Sequence, residues 1–214
     1  LPSQNDSNIA QIILILLNLA KDSIKAALIL IRLAINSSTA SLILDNKRWL
    51  AEQIPTQMDT TRLLLAIMKH DNLKAKIISI PEFFIFLQNS VNDENSNFFV
   101  TIPIIIRRLH INENFVIELM EKNIIQLFVN KANSMTDYDQ INSMLLLFDA
   151  FASIEFPTRL PNFENICKFL SKIIKLPNET SINAIKVAIH YSRFESCINC
   201  FKENGIDKFL SETN

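Results

Sequence analysis

Glycine is all but missing from this chain. Of 214 residues only Gly205 is glycine, where ordinary usage of about 7 per cent would give roughly 15. The favoured hairpin turns, strand bulges and phosphate-cradling loops need positive φ or close backbone approach, which glycine supplies at least steric cost. Sheet-rich and nucleotide-cradling folds are thereby disfavoured, and helices joined by short turns remain. Glycine-rich phosphate loops, a G-x-S-x-G elbow and an H-E-x-x-H helix are absent as well, and with them the chemistry those frames perform.

Cysteine is scarce too. Cys167, Cys197 and Cys200 are too few, and odd in number, for a secreted disulfide framework, so a reducing, intracellular and by default cytoplasmic setting is expected. Asn5, Asn36 and Asn178 begin Asn-x-Ser/Thr triplets, which in a chain rich in Asn and Ser are read as chance matches rather than glycosylation sites. Neither sign of charge is in excess: a formal net charge of −1 and a pI near 6.4 leave no electrostatic footprint for nucleic acid or an anionic membrane. Proteins are the expected partners. Nor is there an uninterrupted apolar run. The segment "IAQIILILLNLAKDSIKAALILIRLAI" is broken by Asn18, Lys21, Asp22, Ser23, Lys25 and Arg32, whereas a spanning helix needs about 20 nearly uninterrupted apolar residues. It predicts two buried helices and no membrane span. The chain begins Leu-Pro-Ser-Gln-Asn, with no methionine and no basic leader, and reads as a piece of a longer polypeptide.

What is present is apolar and repetitive. Hydrophobic residues make up 49% and charged residues 20%, ample for a core and unlike a disordered chain. A turn-permissive residue, an apolar residue, and a bulky apolar residue four positions after the turn recur at Asn8, Asn46, Ser79, Asn123, Asn165 and Gly205, spaced by 38, 33, 44, 42 and 40 residues. Upstream of all but the first lies a second apolar segment: "SIKAALILIRLAI", "TTRLLLAIMKH", "TIPIIIRRLHI", "INSMLLLFDAFAS" and "SINAIKVAIHYSR". Its last strong core position falls at Leu33, Met68, Leu109, Phe151 and Tyr191. Spacing within the segments is helical, as at Ile182, Ile185 and Ile189, and in "RFESCINCF" at Phe194, Cys197, Ile198 and Phe201. Asp22 or Ser23, Thr60 or Thr61, Thr101, and Thr180 or Ser181 are the expected N-caps, with Pro103 in a first turn. Each repeat is expected to turn sharply at a residue that tolerates left-handed geometry, for which Asn is next best to Gly. Gly205 is then the ideal form of a position that the other repeats approximate.

A period near 40 residues with two or three helices is that of HEAT and armadillo repeats, and the order here resembles armadillo more closely. "SIPEFFIFL" and "GIDKFL" resemble that family's second helix, "AALILIRLA" its third, and "HINENFVIELMEKNIIQLF" the run from third to second helix. The resemblance covers residues 8 to 212 and implies an all-α, right-handed α-solenoid of about five repeats with incomplete ends, a single domain over residues 1–214. There are departures. Repeat two is short, and "EFPTRLPNF" carries Pro157 and Pro161 where a regular first helix should run. Terminal solenoid repeats usually carry polar capping faces, but the first here offers "IILILL". The parent chain is therefore expected to continue, and the isolated piece to self-associate through its uncapped ends.

Catalytic constellations are not expected. Cys197-Ile-Asn-Cys200 is a C-x-x-C, with Cys167 and His190 as the further ligands a zinc site would need, but Cys197 sits in a buried helical stripe and reads as core. His70, His110 and His190 fall at different repeat positions with no evident nucleophile or carboxylate partner and read as structural. Of the fifteen phenylalanines, Phe83, Phe169 and Phe209 take the core position of the repeat. No metal and no cofactor is expected.

The resemblance also implies where binding would occur, since in armadillo proteins the third helices line a groove. Nuclear-import receptors of that family hold basic peptides with a Trp and, four residues later, an Asn. The aligned pairs here are Leu28 and Arg32, Leu63 and Ile67, Ile104 and Arg108, Leu146 and Ala150, and Lys186 and His190. None is Trp or Asn, so import-receptor activity is not expected. An acidic or phosphorylated extended peptide suits Arg32, Arg108 and Lys186 better. The leading expectation is a non-catalytic interaction scaffold offering an extended helical groove to protein or peptide partners. Two others stand beside it: a regulatory or targeting solenoid appended to a catalytic domain such as a protein kinase, and a structural solenoid in a large assembly.

Overall fold

The computed structural model describes residues 4–54, 56–92, 96–109, 113–152 and 163–212. Among them there is no strand, and fifteen helices account for the regular structure: α1 (Gln4–Leu19), α2 (Ile24–Leu33), α3 (Ser37–Asp45), α4 (Arg48–Glu52), α5 (Gln57–Ile67), α6 (Asp71–Ile78), α7 (Pro81–Asn92), α8 (Ser96–Arg108), α9 (Glu113–Glu121), α10 (Ile124–Ala132), α11 (Tyr138–Ala152), α12 (Phe163–Ile174), α13 (Glu179–Tyr191), α14 (Glu195–Glu203) and α15 (Ile206–Glu212). The five segments expected to be the long helix of a repeat are α2, α5, α8, α11 and α13. Their last core positions are buried at Met68, Leu109, Phe151 and Tyr191. In the first repeat that place passes from half-buried Leu33 to Ala34, which is 0% exposed.

The chain divides into two compact units, one of Leu1–Ser90 with Arg108–His110 and the other of Val91–Arg107 with Ile111–Asn214. In the first, α2 packs on α1 and α5, and α3 packs on all three. In the second, α11 lies along α13, α10 packs on α12, and α12 on α15. Helices one period apart in the sequence are thus neighbours: α2 with α5, α11 with α13, α10 with α12, and α12 with α15. The cause is legible in α12. Ile166, Cys167, Phe169, Leu170, Ile173 and Ile174 are buried on one broad face, the i, i+3, i+4, i+7 pattern of an amphipathic helix. Trp49, Phe83 and Phe86 anchor the first unit, and Phe115, Phe128, Phe148, Phe151, Phe169, Tyr191 and Phe201 the second. Each such side chain contributes roughly 1.5–3 kcal/mol relative to exposure. Phe209 is only half-buried.

Several local expectations are corrected. Left-handed turns occur at Asn123 (φ 58°) and Gly205 (φ 70°), but not at the other four marked residues. Asn46 has φ −92° and Ser79 φ −80°, while Asn8 and Asn165 lie within α1 and α12. A third left-handed residue, Gln53 (φ 55°), closes the five-residue α4 without any sequence cue. Ser23 does cap α2, its Oγ accepting from Ala26 N at 3.4 Å. The cap of α5, however, is Thr56, which accepts from Asp59 N (3.2 Å) and donates its hydroxyl to Asp59 Oδ2 (2.7 Å). Thr60 instead receives the Ile54 N–H (2.8 Å) and fastens the preceding turn. Asn178, not Thr180 or Ser181, caps α13. Asn36 caps α3 through Ser38 N and Thr39 N. Two of the Asn-x-Ser/Thr triplets are therefore helix starts. Helix α8 begins at Ser96, so Thr101 and Pro103 fall inside it, and Pro103 removes one i→i−4 donor there. The "EFPTRLPNF" irregularity lies outside the described residues apart from Phe163.

The apolar N-terminal segment does form two helices, separated at Lys21–Ser23, and among the described residues no helix is long and apolar enough to cross a membrane. The two helices are not fully buried, contrary to expectation. Ile13 and Leu17 fill the inner face of α1 and Ala20 is buried just beyond its end, while Ile12 (53%), Ile15 (58%) and Leu19 (55%) stand exposed.

The two left-handed turns give a prediction. A Cβ at Gly205 would meet nothing within 4 Å, so only backbone strain opposes a side chain there. Gly205→Ala should cost about 1 kcal/mol in urea denaturation, and Asn123→Gly should gain a few tenths. A Gly205→Ala loss near zero would mean that the turn relaxes out of the left-handed region.

Candidate functional site

The second unit places two of the expected groove helices side by side. Helix α11 buries Met144, Leu145, Phe148 and Phe151, and α13 buries Ala184, Val187, Ala188 and Tyr191. The Tyr191 hydroxyl donates to the Phe148 carbonyl at 2.9 Å and sets the register of the pair. Along the outer seam, Asn183 Nδ2 donates to Asn142 Oδ1 (3.2 Å) and Asn142 Nδ2 to Thr180 Oγ1 (3.4 Å). Two turns further along, His190 Nδ1 donates to Asp149 Oδ1 at 2.5 Å. Between these contacts lies a cleft of about 140 Å³ lined by Leu146, Asp149, Asn183, Lys186, Val187 and His190.

Three of the expected groove residues, Leu146, Lys186 and His190, thus share one cleft. Leu146 is 42% exposed, and on α13 Ile182 (53%) and Ile189 (46%) are exposed as well. The isoleucine spacing that marked α13 as helical belongs to this outward stripe, not to the core. Of the remaining candidates, Leu28 and Arg32 are exposed on α2, and on α8 Ile104 is half-buried and Arg108 exposed. Ala150 is half-buried. Leu63 (1%) and Ile67 (0%) are core residues of α5 and offer no side chain to a surface. Arg32, Arg108 and Lys186 have no ion pair among the described residues.

The histidines are not all as expected. His190 has a carboxylate partner after all, Asp149, 41 residues back and so one period away in the sequence. That offset was the available signal. The Asp149 carboxylate fixes the orientation of the ring, and among the described residues no serine, threonine or cysteine lines the cleft beside it. His70 Nε2 donates to the Ala34 carbonyl at 2.9 Å, tying the start of α6 to the end of α2. His110 lies outside the described residues.

The three thiols meet where α12 packs on α14. Cys167 and Cys197 are buried and Cys200 is half-exposed. Burial pushes all three thiols up, Cys197 to about 11 and Cys167 furthest, the latter also through its hydrogen bond to Cys200. Burial disfavours thiolate, which is the nucleophilic and metal-binding form. Among the described residues no three His, Cys, Asp or Glu side chains are placed to hold a metal ion. Comparison with family models, curated proteins and solved structures returned no match.

Proposed function

We propose that this chain is an armadillo-like solenoid module that binds protein or peptide partners along its third helices and does no chemistry of its own. The observation that carries this reading is the α11–α13 cleft, in which Leu146, Lys186 and His190 converge from positions one period apart. Two features support it. The sequence-equivalent helices α2 and α5 pack together in the first unit and α11 and α13 in the second, as neighbouring repeats of a solenoid would. The third helices also keep large apolar side chains outward, Ile24 and Leu28 on α2, Leu146 on α11, and Ile182 and Ile189 on α13, beside the cations Arg32 and Lys186, which have no ion pair among the described residues. Apolar surface rimmed by charge is the usual mark of a protein-binding patch. The ligand class that suits it is an extended acidic or phosphorylated peptide.

An array of immobilised 15-residue peptides graded from acidic through phosphorylated to basic, probed with the whole chain, tests this. Binding should concentrate on the acidic and phosphorylated members, and Lys186→Glu or the double change Arg32→Glu, Arg108→Glu should weaken it about tenfold. Binding indifferent to peptide charge, or undiminished by either charge reversal, sinks the reading.

A further inference from the structure

The first unit holds a cleft of its own, with a volume of about 390 Å³, within the range of ordinary ligand pockets. Its apolar lining is Leu14 and Leu17 of α1, Trp49 of α4, and Ile54. Leu17, Trp49 and Ile54 belong to the core, whereas Leu14 is 49% exposed and continues the apolar surface out of the cleft. Trp49 is fixed, because its indole N–H donates to the Ile43 carbonyl at 3.1 Å. A wall already held in one rotamer loses little entropy when something docks on it.

The charges around this lining are unevenly committed. Lys21 is paired with Glu52 at 2.7 Å, and Asp45 with Lys76 at 2.6 Å. Lys47, just before α4, and Arg48, its first residue, are exposed and have no ion pair among the described residues. Glu82, at the start of α7, is the remaining anion. Its Oε2 is shut off from solvent with no hydrogen-bond donor among the described residues, so this end of the cleft repels a second carboxylate. The cleft therefore offers an apolar floor, two available cations together at the start of α4, and an anion on α7.

We propose that this cleft docks a protein segment carrying an apolar side chain flanked by acidic residues, the apolar group against Leu14, Leu17 and Trp49 and the carboxylates on Lys47 and Arg48. The site is separate from the α11–α13 groove, and the proposal does not depend on that reading. An aliphatic or aromatic anchor supplies the affinity, and the cations set the direction in which the segment lies. A basic segment would meet Lys47 and Arg48 with like charge.

Trp49 is the sole tryptophan, so its emission reports the cleft directly. The whole chain would be titrated with an 11-residue peptide of two central leucines flanked by aspartates, with the same peptide carrying lysines instead, and with a twelve-nucleotide oligothymidine. The acidic peptide should give a saturable change in emission, with at least tenfold weaker response to the basic peptide and to the oligonucleotide. Lys47→Glu with Arg48→Glu should reverse the peptide preference, the neutral pair Lys47→Gln with Arg48→Gln should weaken acidic binding by less, and Lys186→Glu should leave the Trp49 response unchanged. No saturable change, equal response to both peptides, an oligonucleotide response as strong as the acidic one, or indifference to both double substitutions would overturn the proposal. Loss of acidic binding in Lys186→Glu alone would count against the separate site while leaving the groove reading intact.

Discussion

Replacing Tyr191 with alanine should lower the stability of the second unit by about 4 kcal/mol, the largest effect expected of any single substitution in α13. Tyr191 is 0% exposed, its ring lies 5.2 Å from that of Phe163, and its hydroxyl reaches the Phe148 carbonyl of α11. Truncation to alanine removes the transfer free energy of a whole aromatic ring and leaves a cavity between α11, α12 and α13, a combination worth roughly 3–5 kcal/mol at other buried aromatic sites. Tyr191→Phe keeps the ring and loses only the hydrogen bond, so it should cost about 1 kcal/mol. Urea denaturation followed by far-ultraviolet circular dichroism measures both. If the two variants lose equal stability, the hydroxyl rather than the ring holds the helix pair, and the packing account of α11 and α13 is wrong.

The second large effect concerns association rather than folding. Between Ile9 and Leu19, α1 is apolar almost all the way round, a pattern found in helices covered on every side. Within that span only Ile13 and Leu17 are buried; Ile9, Ile12, Leu14, Ile15 and Leu19 are each more than a third exposed. The whole chain should therefore self-associate as its concentration rises. Ile12→Lys combined with Ile15→Lys should shift the midpoint of that association upward by about 30- to 1,000-fold, corresponding to roughly 2–4 kcal/mol of lost apolar burial. Helical content should not change, because neither side chain is in the core. Sedimentation equilibrium decides the matter. A monomer for the unsubstituted chain at high concentration, or association unaffected by the two lysines, would mean that this face is not adhesive.

The same two regions show what could be read from the residues alone. That the chain is helical, and where its long helices lie, followed from the near absence of glycine and from apolar spacing, because burial of one face is a property of each segment by itself. Which residue turns the chain did not follow so well. Asn123 and Asn165 carry the same local pattern, "NIIQLF" and "NICKFL", yet one is left-handed and the other helical. Asn tolerates both conformations, and packing decides between them. Caps failed for a similar reason. Thr56 and Thr60 are equally able acceptors, but the T-x-x-D spacing of Thr56 with Asp59 satisfies two groups at once, and that spacing was a readable signal. Exposure was the least legible property. Ile182 and Ile189 face outward although their spacing is that of a buried stripe, since α13 turns its alanines, Val187 and Tyr191 to the core instead. The groove alignment accordingly placed Leu146, Lys186 and His190 on one surface but also included Leu63 and Ile67, which α5 buries.

The chromophores are partitioned between the two units. The only tryptophan, Trp49, lies in the first, and the only tyrosines, Tyr138 and Tyr191, lie in the second. One sample therefore carries two optical channels, indole emission for residues around α4 and phenol absorbance for residues around α11 and α13. Coincidence of the two signals along a single denaturation curve is a direct test of two-state behaviour. Divergence assigns each unit its own midpoint without a label or a truncation.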